Sequence, residues 1–326
     1  MILGFNDAGK VCAIDTDTGR EKWTYYTDGP VRLPPAIWNG KAYCACDDGY
    51  LYCLNVSNGS LAWKFKGAPA GRRILGNSRL ISTWPARGGP VVKDGAVYFA
   101  CGIWPFMGVF IYRLDAETGK VLWVNDSEGA RYMLQPHNAP SFAGIAPQGV
   151  LAISGNRLIV PGGRSVPACF DTKTGDYLYY ELAANNKAGG SFVAAGEQMF
   201  FNHTREKRTA AYDLRDGLAI LPETGGHPVV DRDAVYFSGS GIQAYALDWA
   251  RGTIARAEKE KLDAKTRAGE FAKEFRSHLL WEIGADAAGD MIRAGNRLYA
   301  AGENEITAID LAAPGGKPGI AWKKRI

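Results

Sequence analysis

Apolar and polar residues alternate in short runs along the chain, and turns rich in Asp, Asn, Thr and Gly separate the runs. Three units are nearly copies of one another: VCAIDTDTGREKW (11–23), LYCLNVSNGSLAW (51–63) and IYRLDAETGKVLW (111–123). Alternation with a period of two is typical of a half-buried β-strand. Each unit therefore predicts two β-strands joined by a turn.

Weaker copies of the unit follow further along the chain. The segment ACFDTKTGDYLYY (168–180) keeps the turn but has Tyr179 in place of the tryptophan. Three more segments bring the total to seven, and the Asp or Asn of the turn falls at positions 15, 55, 115, 171, 213, 248 and 310. A repeat of this length indicates a protein built from similar supersecondary units.

The chemistry of the turn explains its composition. An Asp or Asn side chain bonds to the backbone that follows it, and the glycine four residues later takes a positive φ without strain. Trp23, Trp63 and Trp123 each lie four residues beyond that glycine. A large aromatic repeated at one register predicts a wedge buried between successive sheets, a tryptophan-docking arrangement.

A second hairpin precedes each unit. Its turns are Asn39-Gly40, Asp94-Gly95, Gly155-Asn156 and Gly295-Asn296, pairs that favour tight two-residue loops. Two hairpins per repeat make four strands, which is the size of a propeller blade. We therefore expect an all-β fold, a β-propeller of four-stranded antiparallel blades, with seven blades to match the seven repeats.

The A-x-D-x-x-T-G-x-x-x-W units resemble the repeat of the PQQ-like, or quinoprotein-type, β-propellers. That group includes quinoprotein alcohol dehydrogenases and the propeller lipoprotein of outer-membrane assembly. The run RLPPAIWNGKAYCACDDGYLYCLN…RRILGNSRLISTWPARGG is similar to a bacterial subgroup of such repeat proteins. The resemblance implies an exported, periplasmic location and a propeller that is one part of a longer chain, and it specifies fold better than function.

The whole of residues 1–326 is expected to form one propeller domain. The chain enters at the second strand of its first blade, ILGFND, and leaves after the last strand of its seventh, IAWKKRI. The first blade is therefore expected to lack its innermost strand. This leads to the expectation that the chain is part of a longer protein with additional domains.

One segment departs from the β pattern. Residues 251–283 are dominated by Lys, Glu and Ala, and Phe271, Phe275 and Leu279 recur at a spacing of four. The spacing predicts a helical insertion near residues 253–280, as two helices broken near Gly269, in place of a blade's outer turn. It would serve as a dock for another domain or as a solvated helix packed on the blade edge.

Long connections gather on one face of the predicted propeller. The tight turns all leave from the opposite face, whereas residues 64–88, 124–148 and 181–190 link the rim of one blade to the axis of the next. Binding residues of rigid scaffolds concentrate on such loops. The candidate ligand-binding residues of this face are Arg72, Arg73, Trp84, Arg87, Trp104, Gln148 and Arg164.

These residue types point to a class of ligand. Arginine binds carboxylates through two parallel hydrogen bonds, and tryptophan stacks on sugars and cations. The face therefore suits an anionic or carbohydrate ligand, or a protein partner. The alternative is that the arginines only pin the long loops to the backbone.

Composition adds limits. The chain has 326 residues, 46% of them hydrophobic, and a net charge of +4, so neither nucleic acid nor an anionic membrane is the expected partner. No run of 18 apolar residues occurs, so no transmembrane segment is expected. The six cysteines are too sparse for a disulfide scaffold. With a loop at residues 47–50, Cys44 would face Cys53, as a cross-strand disulfide or as two buried thiols.

Signatures of enzymes are few. The quinoprotein dehydrogenases that the repeat resembles use a vicinal cysteine pair, a calcium site and a catalytic aspartate, and this chain has no adjacent cysteines. We expect no PQQ, no calcium, no other metal and no catalytic residue. The enzyme alternatives are a PQQ-dependent dehydrogenase and a carbohydrate-active lyase that uses His137 or His203 with Tyr132 and Arg131 or Arg164. No phosphate loop, G-x-S-x-G or H-E-x-x-H motif occurs.

Overall fold

The protein consists of two compact units, Met1–Val193 and Ala194–Ile326. A computed structural model describes residues 1–325 except 77, 130, 135–137, 143, 164–165, 181–187, 205–208, 225, 240, 288 and 312–316. Antiparallel sheets of the predicted kind make up both units.

The first unit contains four sheets that follow one another along the chain, and two small hairpins between them. The strands are β1 (Ile2–Phe5), β2 (Lys10–Ile14), β3 (Glu21–Tyr26), β4 (Ala36–Trp38), β5 (Lys41–Ala45), β6 (Tyr50–Asn55), β7 (Leu61–Lys66), β8 (Arg73–Gly76), β9 (Arg79–Ser82), β10 (Gly88–Lys93), β11 (Ala96–Cys101), β12 (Phe110–Asp115), β13 (Val121–Asn125), β14 (Tyr132–Leu134), β15 (Pro140–Phe142), β16 (Gly149–Val150), β17 (Ala152–Ser154), β18 (Arg157–Val160), β19 (Ala168–Asp171) and β20 (Tyr177–Tyr179). The sheets are β1–β3, β4–β7, β10–β13 with β16 parallel to β10, and β17–β20.

The second unit contains three four-stranded sheets and two helices. Its elements are β21 (Ala188–Ala195, which begins before the boundary), β22 (Met199–Thr204), β23 (Thr209–Asp213), β24 (Ala219–Thr224), β25 (Val229–Val230), β26 (Ala234–Ser238), β27 (Ile242–Ala246), α1 (Ala250–Lys259), α2 (Ala264–Ser277), β28 (Leu279–Ile283), β29 (Met291–Ala294), β30 (Arg297–Ala301), β31 (Glu305–Asp310) and β32 (Gly319–Arg325). The sheets are β21–β24, β25–β28 and β29–β32.

The repeated turn has the predicted geometry. Asp15 Oδ1 accepts hydrogen bonds from the backbone N–H groups of Asp17 (3.1 Å) and Thr18 (3.0 Å), and Gly19 takes a φ of 70°. The same bond recurs in the third repeat. There Asp115 Oδ1 accepts from the backbone N–H of Thr118, the counterpart of Thr18, at 2.8 Å. In the sixth repeat the turn residue is Ala246 and not the predicted Asp248. The backbone N–H of Ala246 donates to His278 O and so closes the turn across the helical insertion.

Three indoles join the sheets of the first unit in sequence. Trp23 Nε1 donates to Val56 O (2.9 Å), Trp63 Nε1 to Ala116 O (3.2 Å) and Trp123 Nε1 to Thr172 O (3.0 Å). Each indole thus bonds to the turn of the following sheet. Trp23 is buried, and the other two are half-buried.

The cysteine register differs from the prediction. The turn is one residue shorter than expected because Gly49 takes a φ of 89°, so Cys44 pairs with Tyr52 and Cys53 pairs with Tyr43. Cys44 and Cys53 consequently pack in different core clusters. All six cysteines are buried and free, so the thiol interpretation is confirmed and the disulfide is wrong.

The helical insertion lies where it is predicted, but its break does not. The break falls at residues 260–263, where Lys261 has a φ of 51° and Asp263 caps α2 by accepting from Lys265 N and Thr266 N. Gly269 lies inside α2. The buried rings of Phe271 and Phe275 fix the helix to the sheet, with Phe275 stacked on Tyr245 at 4.3 Å between centroids. Within the described residues, no helix is long and apolar enough to cross a membrane.

Candidate functional site

The connection between the second and third sheets is a β-hairpin. Residues 68–89 show no regular period in the sequence, yet β8 and β9 pair from Arg73↔Ser82 to Gly76↔Arg79. The hairpin is closed at its base because Thr83 donates through both N–H and hydroxyl to Arg72 O, at 3.0 and 3.2 Å. The connection thus contains regular structure that its sequence does not indicate, and Arg73 and Arg79 lie on its two strands.

A buried carboxylate anchors the base of this hairpin. Asp47, which is 1% exposed, accepts two hydrogen bonds of 3.0 Å from Arg87 and one of 2.5 Å from Arg32 Nε. Its carbonyl accepts from Ser82 N at 2.7 Å. The side chain of Asp47 thus joins the connections of Arg32 and Arg87, its backbone carbonyl holds the end of the hairpin, and two of the arginines on this face stabilise the fold.

Three other arginines differ from this pair. Arg72, Arg73 and Arg79 are exposed, and within the described residues their guanidinium groups have no ion-pair or hydrogen-bond partner. Ile74, Leu75 and Leu80 on the same hairpin are also exposed, with Leu75 at 76% and Leu80 at 60%. The hairpin therefore combines unpaired cations with uncovered apolar side chains.

Trp84 connects the hairpin to a neighbouring loop. Its indole Nε1 donates to Met107 O at 2.8 Å, and Met107 ends the 3-10 helix Pro105–Met107. On that loop Trp104 is 47% exposed and Phe106 is 68% exposed, with ring centroids 6.4 Å apart. Trp84 is thus engaged by the backbone, whereas Trp104 is available to a partner.

A second hairpin, β14–β15, follows a segment that packs against this loop. Gly129, which precedes it, approaches so closely that a Cβ there would lie 2.8 Å from Val109 N and 3.3 Å from Pro105 O. Tyr132 and Leu134 on β14 are 63% and 61% exposed. We call the exposed residues of these three projections the tip surface: Arg72, Arg73, Leu75, Arg79, Leu80, Trp104, Phe106, Tyr132 and Leu134.

Gln148 lies in the connection just before β16 and is not part of these projections. Gln148, Arg87 and Arg32 each stand seven residues before the first residue of an inner hairpin turn, at Gly155, Asp94 and Asn39. The side chain of Gln148 is exposed, and its N–H donates to Pro161 O at 3.0 Å. The repeat therefore places it where the two anchoring arginines stand in the preceding sheets.

The remaining predicted residues do not assemble into one described site. Arg164 and His137 lie outside the described residues. Arg131 bonds to Glu128 and its guanidinium carbon lies 3.8 Å from the centre of the Tyr177 ring. His203 belongs to the second unit, where it stacks on His227 at 5.7 Å, and its burial, followed by the charge of His227, lowers the pKa of His203.

Asp47 was the residue that sequence reasoning missed. It follows β5 in the CDDG turn, and an acidic residue there gave no sign of pairing with arginines 15 and 40 positions away. The signal was the repeat itself, because Arg32 and Arg87 occupy one register. Two arginines at the same repeat position indicate an anion between them, because a buried charge is costly unless an opposite charge pairs with it.

Within the described residues, the most buried carboxylate of this face is already engaged and is not free to hold a calcium ion. Both oxygens of Asp47, the most buried carboxylate of this face, are held by guanidinium groups. No cluster of three His, Cys, Asp or Glu side chains with metal-binding geometry occurs in the part of the chain that the structure describes. The thiols of Cys44, Cys46 and Cys53 lie on strands or at their ends and are not adjacent in sequence.

Comparisons with known proteins agree with this architecture. The family model described as "Outer membrane protein assembly factor BamB" (PQQ_2) matches residues 2–100 and 108–326. The dehydrogenase subunit of alcohol dehydrogenase (quinone) from Komagataeibacter europaeus is 32% identical over 225 residues, which are 65% of this chain and 29% of that protein. Serine/threonine-protein kinase AfsK from Streptomyces griseus is 29% identical over 259 residues, 74% of this chain and 27% of that protein. The chain thus spans less than a third of the length of these relatives.

Solved structures show the same fold at low identity. BamB from Moraxella catarrhalis superimposes with a TM-score of 0.55 and 15% identity, covering 92% of this chain and 78% of the other. A europium-containing methanol dehydrogenase gives a TM-score of 0.56 and 13% identity, covering 100% and 76%. At these identities the likeness concerns the fold.

Proposed function

Because the chain belongs to the PQQ-like β-propeller family whose model is described as outer membrane protein assembly factor BamB, we propose that it is a non-catalytic scaffold that binds a partner protein. The fold is all-β, with antiparallel blades. Propellers of this kind serve both as binding modules and as enzymes, so the site has to decide. The proposed site is the tip surface.

The observation that carries the proposal is the exposure of apolar side chains on three projections whose bases are linked by the Trp84–Met107 hydrogen bond and by the close approach of Gly129 to Pro105 and Val109. Leu75, Leu80, Phe106 and Leu134 are each at least 60% exposed. Soluble proteins seldom leave several large apolar side chains uncovered together unless the patch is used. Aromatic and arginine side chains beside them are the types that contribute most at protein interfaces.

The same residues indicate what the partner offers. Arg72, Arg73 and Arg79 lie on or beside the same hairpin as Leu75 and Leu80, and no carboxylate of the described chain pairs with them. A partner segment with apolar side chains flanked by Asp or Glu would cover the leucines and pair with the guanidinium groups. A small anionic or sugar ligand is supported less, because Arg87 and Trp84 are already engaged by Asp47 and Met107.

An exported location accompanies this proposal. The family description names an outer-membrane assembly factor, and a scaffold of that kind would meet its partners outside the cytoplasm. The count of seven blades and the place of this chain within a longer protein stay predictions from the repeat.

The test uses a photo-activated cross-linking amino acid at Leu75 in cells that make the protein. The cross-linked protein is identified, purified and titrated against the wild-type chain and against the double variant Leu75→Asp, Leu80→Asp. The variant is expected to bind at least about tenfold more weakly, because two central apolar contacts are lost. The matched control is Ile292→Asp, which changes an apolar side chain of similar exposure (65%) on β29.

Two results would overturn the proposal. One is equal affinity for the double variant and the wild type, which places the binding elsewhere. The other is turnover of a quinone or carbohydrate substrate by the purified chain, which makes it an enzyme.

A further inference from the structure

The two faces of the β8–β9 hairpin differ. The strands are antiparallel, and Leu75 pairs with Leu80. Because side chains alternate between the faces of a strand, Arg73 lies on the leucine face, and Ile74 and Ile81 lie on the other face. Ile81 is 4% exposed, whereas Leu75 and Leu80 are among the most exposed apolar side chains. The isoleucine face is therefore covered at Ile81, and the leucine face is uncovered.

The hydrogen bonds of the hairpin decide which backbone groups of β8 point outward. Thr83 N donates to Arg72 O at 3.0 Å, so these two residues form a bonded pair. Bonded and non-bonded pairs alternate along two antiparallel strands, so Ile74 bonds to β9, and Arg73 and Leu75 do not. The N–H and C=O groups of Arg73 and Leu75 therefore point away from β9.

Of the two strands, β8 has the free edge. By the same alternation Ser82 N on β9 points outward, and it donates to Asp47 O at 2.7 Å. Every residue of β8 is exposed or half-buried. Within the described residues, no backbone group outside the hairpin bonds to Arg73 or Leu75. An open strand edge is a template for pairing with another strand.

The charges beside this edge indicate what such a strand carries. Arg73 lies two residues before Leu75 on the leucine face, and Arg72 precedes it. In the part of the chain that the structure describes, neither guanidinium has an ion-pair partner. Opposite charges directly across two strands are stabilising, and like charges are destabilising. A second copy of the chain would bring its own Arg72 and Arg73 to the edge, so the charges favour a different, acidic polypeptide.

We propose that β8 accepts an extended segment of a partner protein as a third, antiparallel strand, with an apolar residue opposite Leu75 and an acidic residue opposite Arg73. These two residues lie two positions apart in the segment, because alternate residues of a strand share a face. Read from its amino end, the segment has the pattern apolar–any–acidic. Strand addition takes its affinity from main-chain hydrogen bonds and its specificity from alternate side chains. This mode of binding rests on the function proposed for the tip surface, because it uses the same leucine and arginine side chains.

A peptide of this pattern tests the proposed strand. The probe is the acetylated and amidated heptapeptide Thr-Thr-Leu-Thr-Glu-Thr-Thr, titrated against the full isotope-labelled chain while the amide resonances of Arg73 and Leu75 are followed. N-methylation at its Leu and Glu, whose N–H groups bond to β8 in the proposed register, should weaken binding about tenfold or more. N-methylation at the two Thr residues that follow the Leu and the Glu is the matched control. Those N–H groups point away from β8, so the affinity should stay within about twofold.

An exchange of charges tests the register. Replacing the Glu of the peptide by Lys should weaken binding to the wild-type chain about threefold or more, and Arg73→Glu should restore it. The matched control is Arg79→Glu, because Arg79 pairs with Gly76 and lies on the isoleucine face. This control should not restore binding of the Lys peptide. Equal recovery in the two variants would overturn the proposed register.

The outcomes separate this mode of binding from the proposed function. Equal weakening by both N-methylation patterns would overturn strand addition, even where Leu75→Asp, Leu80→Asp reduces partner affinity and so keeps the tip surface as the site. Failure of the peptide to bind, or a dimer of the chain joined through β8, would also overturn strand addition. Unchanged partner affinity in the double variant, with strand-specific binding of the peptide to the wild type, would overturn the proposed function and keep β8 as a strand-binding edge.

Discussion

Arg87 binds Asp47 through two parallel hydrogen bonds of 3.0 Å each, from Nε to Oδ1 and from Nη2 to Oδ2. The carboxylate is buried, and the guanidinium is 20% exposed. Arg32 binds the same carboxylate from the other side. Residues that look alike in sequence thus divide by role: Arg87 and Arg32 stabilise the fold, and Arg72 and Arg73 are available to a partner.

This division predicts that two alanine substitutions differ in their effect on the free energy of unfolding. Arg87→Ala should lower the free energy of unfolding by about 1–3 kcal/mol, because Asp47 stays buried and loses two of its hydrogen bonds. Arg72→Ala should leave stability within about 0.5 kcal/mol, because the side chain is exposed. Urea unfolding of the two variants and the wild type measures both values. Equal loss of stability in the two variants would contradict the division.

The same pair predicts how partner binding depends on salt. The double variant Arg72→Ala, Arg73→Ala should bind the cross-linked partner more weakly and with a shallower dependence on ionic strength, because exposed charges steer association and are screened by salt. The control is Lys22→Ala, which removes an exposed cation paired with Asp15 on the first turn. Titrations at low and high salt compare the three proteins. An unchanged salt dependence in the arginine variant would show that the charges of Arg72 and Arg73 do not contribute to partner binding.

Local chemistry explains what could be read from the sequence. The turn of Asp15 and Gly19 depends on residues within four positions of one another, and the structure has it as expected. The hairpin β8–β9 was missed because exposed Leu75 and Leu80 interrupt any simple alternation.

Other errors have equally specific causes. Cys44 was assigned the wrong partner because the tight turn at Gly49 shifted the register by one residue. The ion pairs of Asp47 join residues far apart in the chain, and only the folded structure brings them together.

Glycines at one register should differ in their tolerance of alanine. Gly19 and Gly59 have the same backbone conformation, with φ of 70° and 73°. A Cβ on Gly59 would lie 2.6 Å from the Trp23 ring, whereas a Cβ on Gly19 meets nothing within 4 Å. Gly59→Ala should therefore destabilise the protein by about 1–3 kcal/mol more than Gly19→Ala, since both carry the cost of the positive φ and only one displaces an indole. Thermal and urea unfolding of the two variants, with tryptophan fluorescence as the probe, measures the difference. Equal destabilisation would show that the indole moves freely.

The first turn should make stability depend on acid pH. Hydrogen bonds from the Thr18 N–H, followed by Lys22 and the Thr18 hydroxyl, lower the pKa of Asp15 to about 2, from an ordinary value of 3.8. A group whose pKa is lower in the folded state contributes stability above its unfolded pKa and loses it as pH falls to its folded pKa. Asp15→Asn should therefore flatten the fall of Tm between about pH 4 and pH 2. The natural Asn55 at this position of the second repeat indicates that the turn tolerates the change. A Tm profile that keeps its slope in the variant would assign the acid sensitivity to other carboxylates.

The cysteines should be unreactive in the folded protein. Burial raises the pKa of Cys53 to about 12 and raises the pKa of Cys101 well above its ordinary value. The thiolate is the reactive form, so a thiol reagent should label the native chain slowly and all six cysteines after unfolding in urea. Reducing agent should leave Tm unchanged, because Cys44 and Cys53 lie in different core clusters. Fast labelling of the native chain, or a Tm that falls on reduction, would contradict this.

The final prediction concerns the cofactor of the quinone-dependent relatives. Titration of the chain with PQQ in the presence of calcium, or of a lanthanide, should leave the absorption spectrum of the quinone equal to that of the free compound. The physical reason is the donor set: Asp47 would have to release Arg32 and Arg87 before it could bind a cation, which would leave a buried carboxylate and two guanidinium groups to be paired again. Asp47→Asn serves as the control, because it removes the carboxylate and should leave the spectrum equally unchanged. A saturable one-to-one spectral change that Asp47→Asn abolishes would contradict the scaffold and assign Asp47 to a cofactor site.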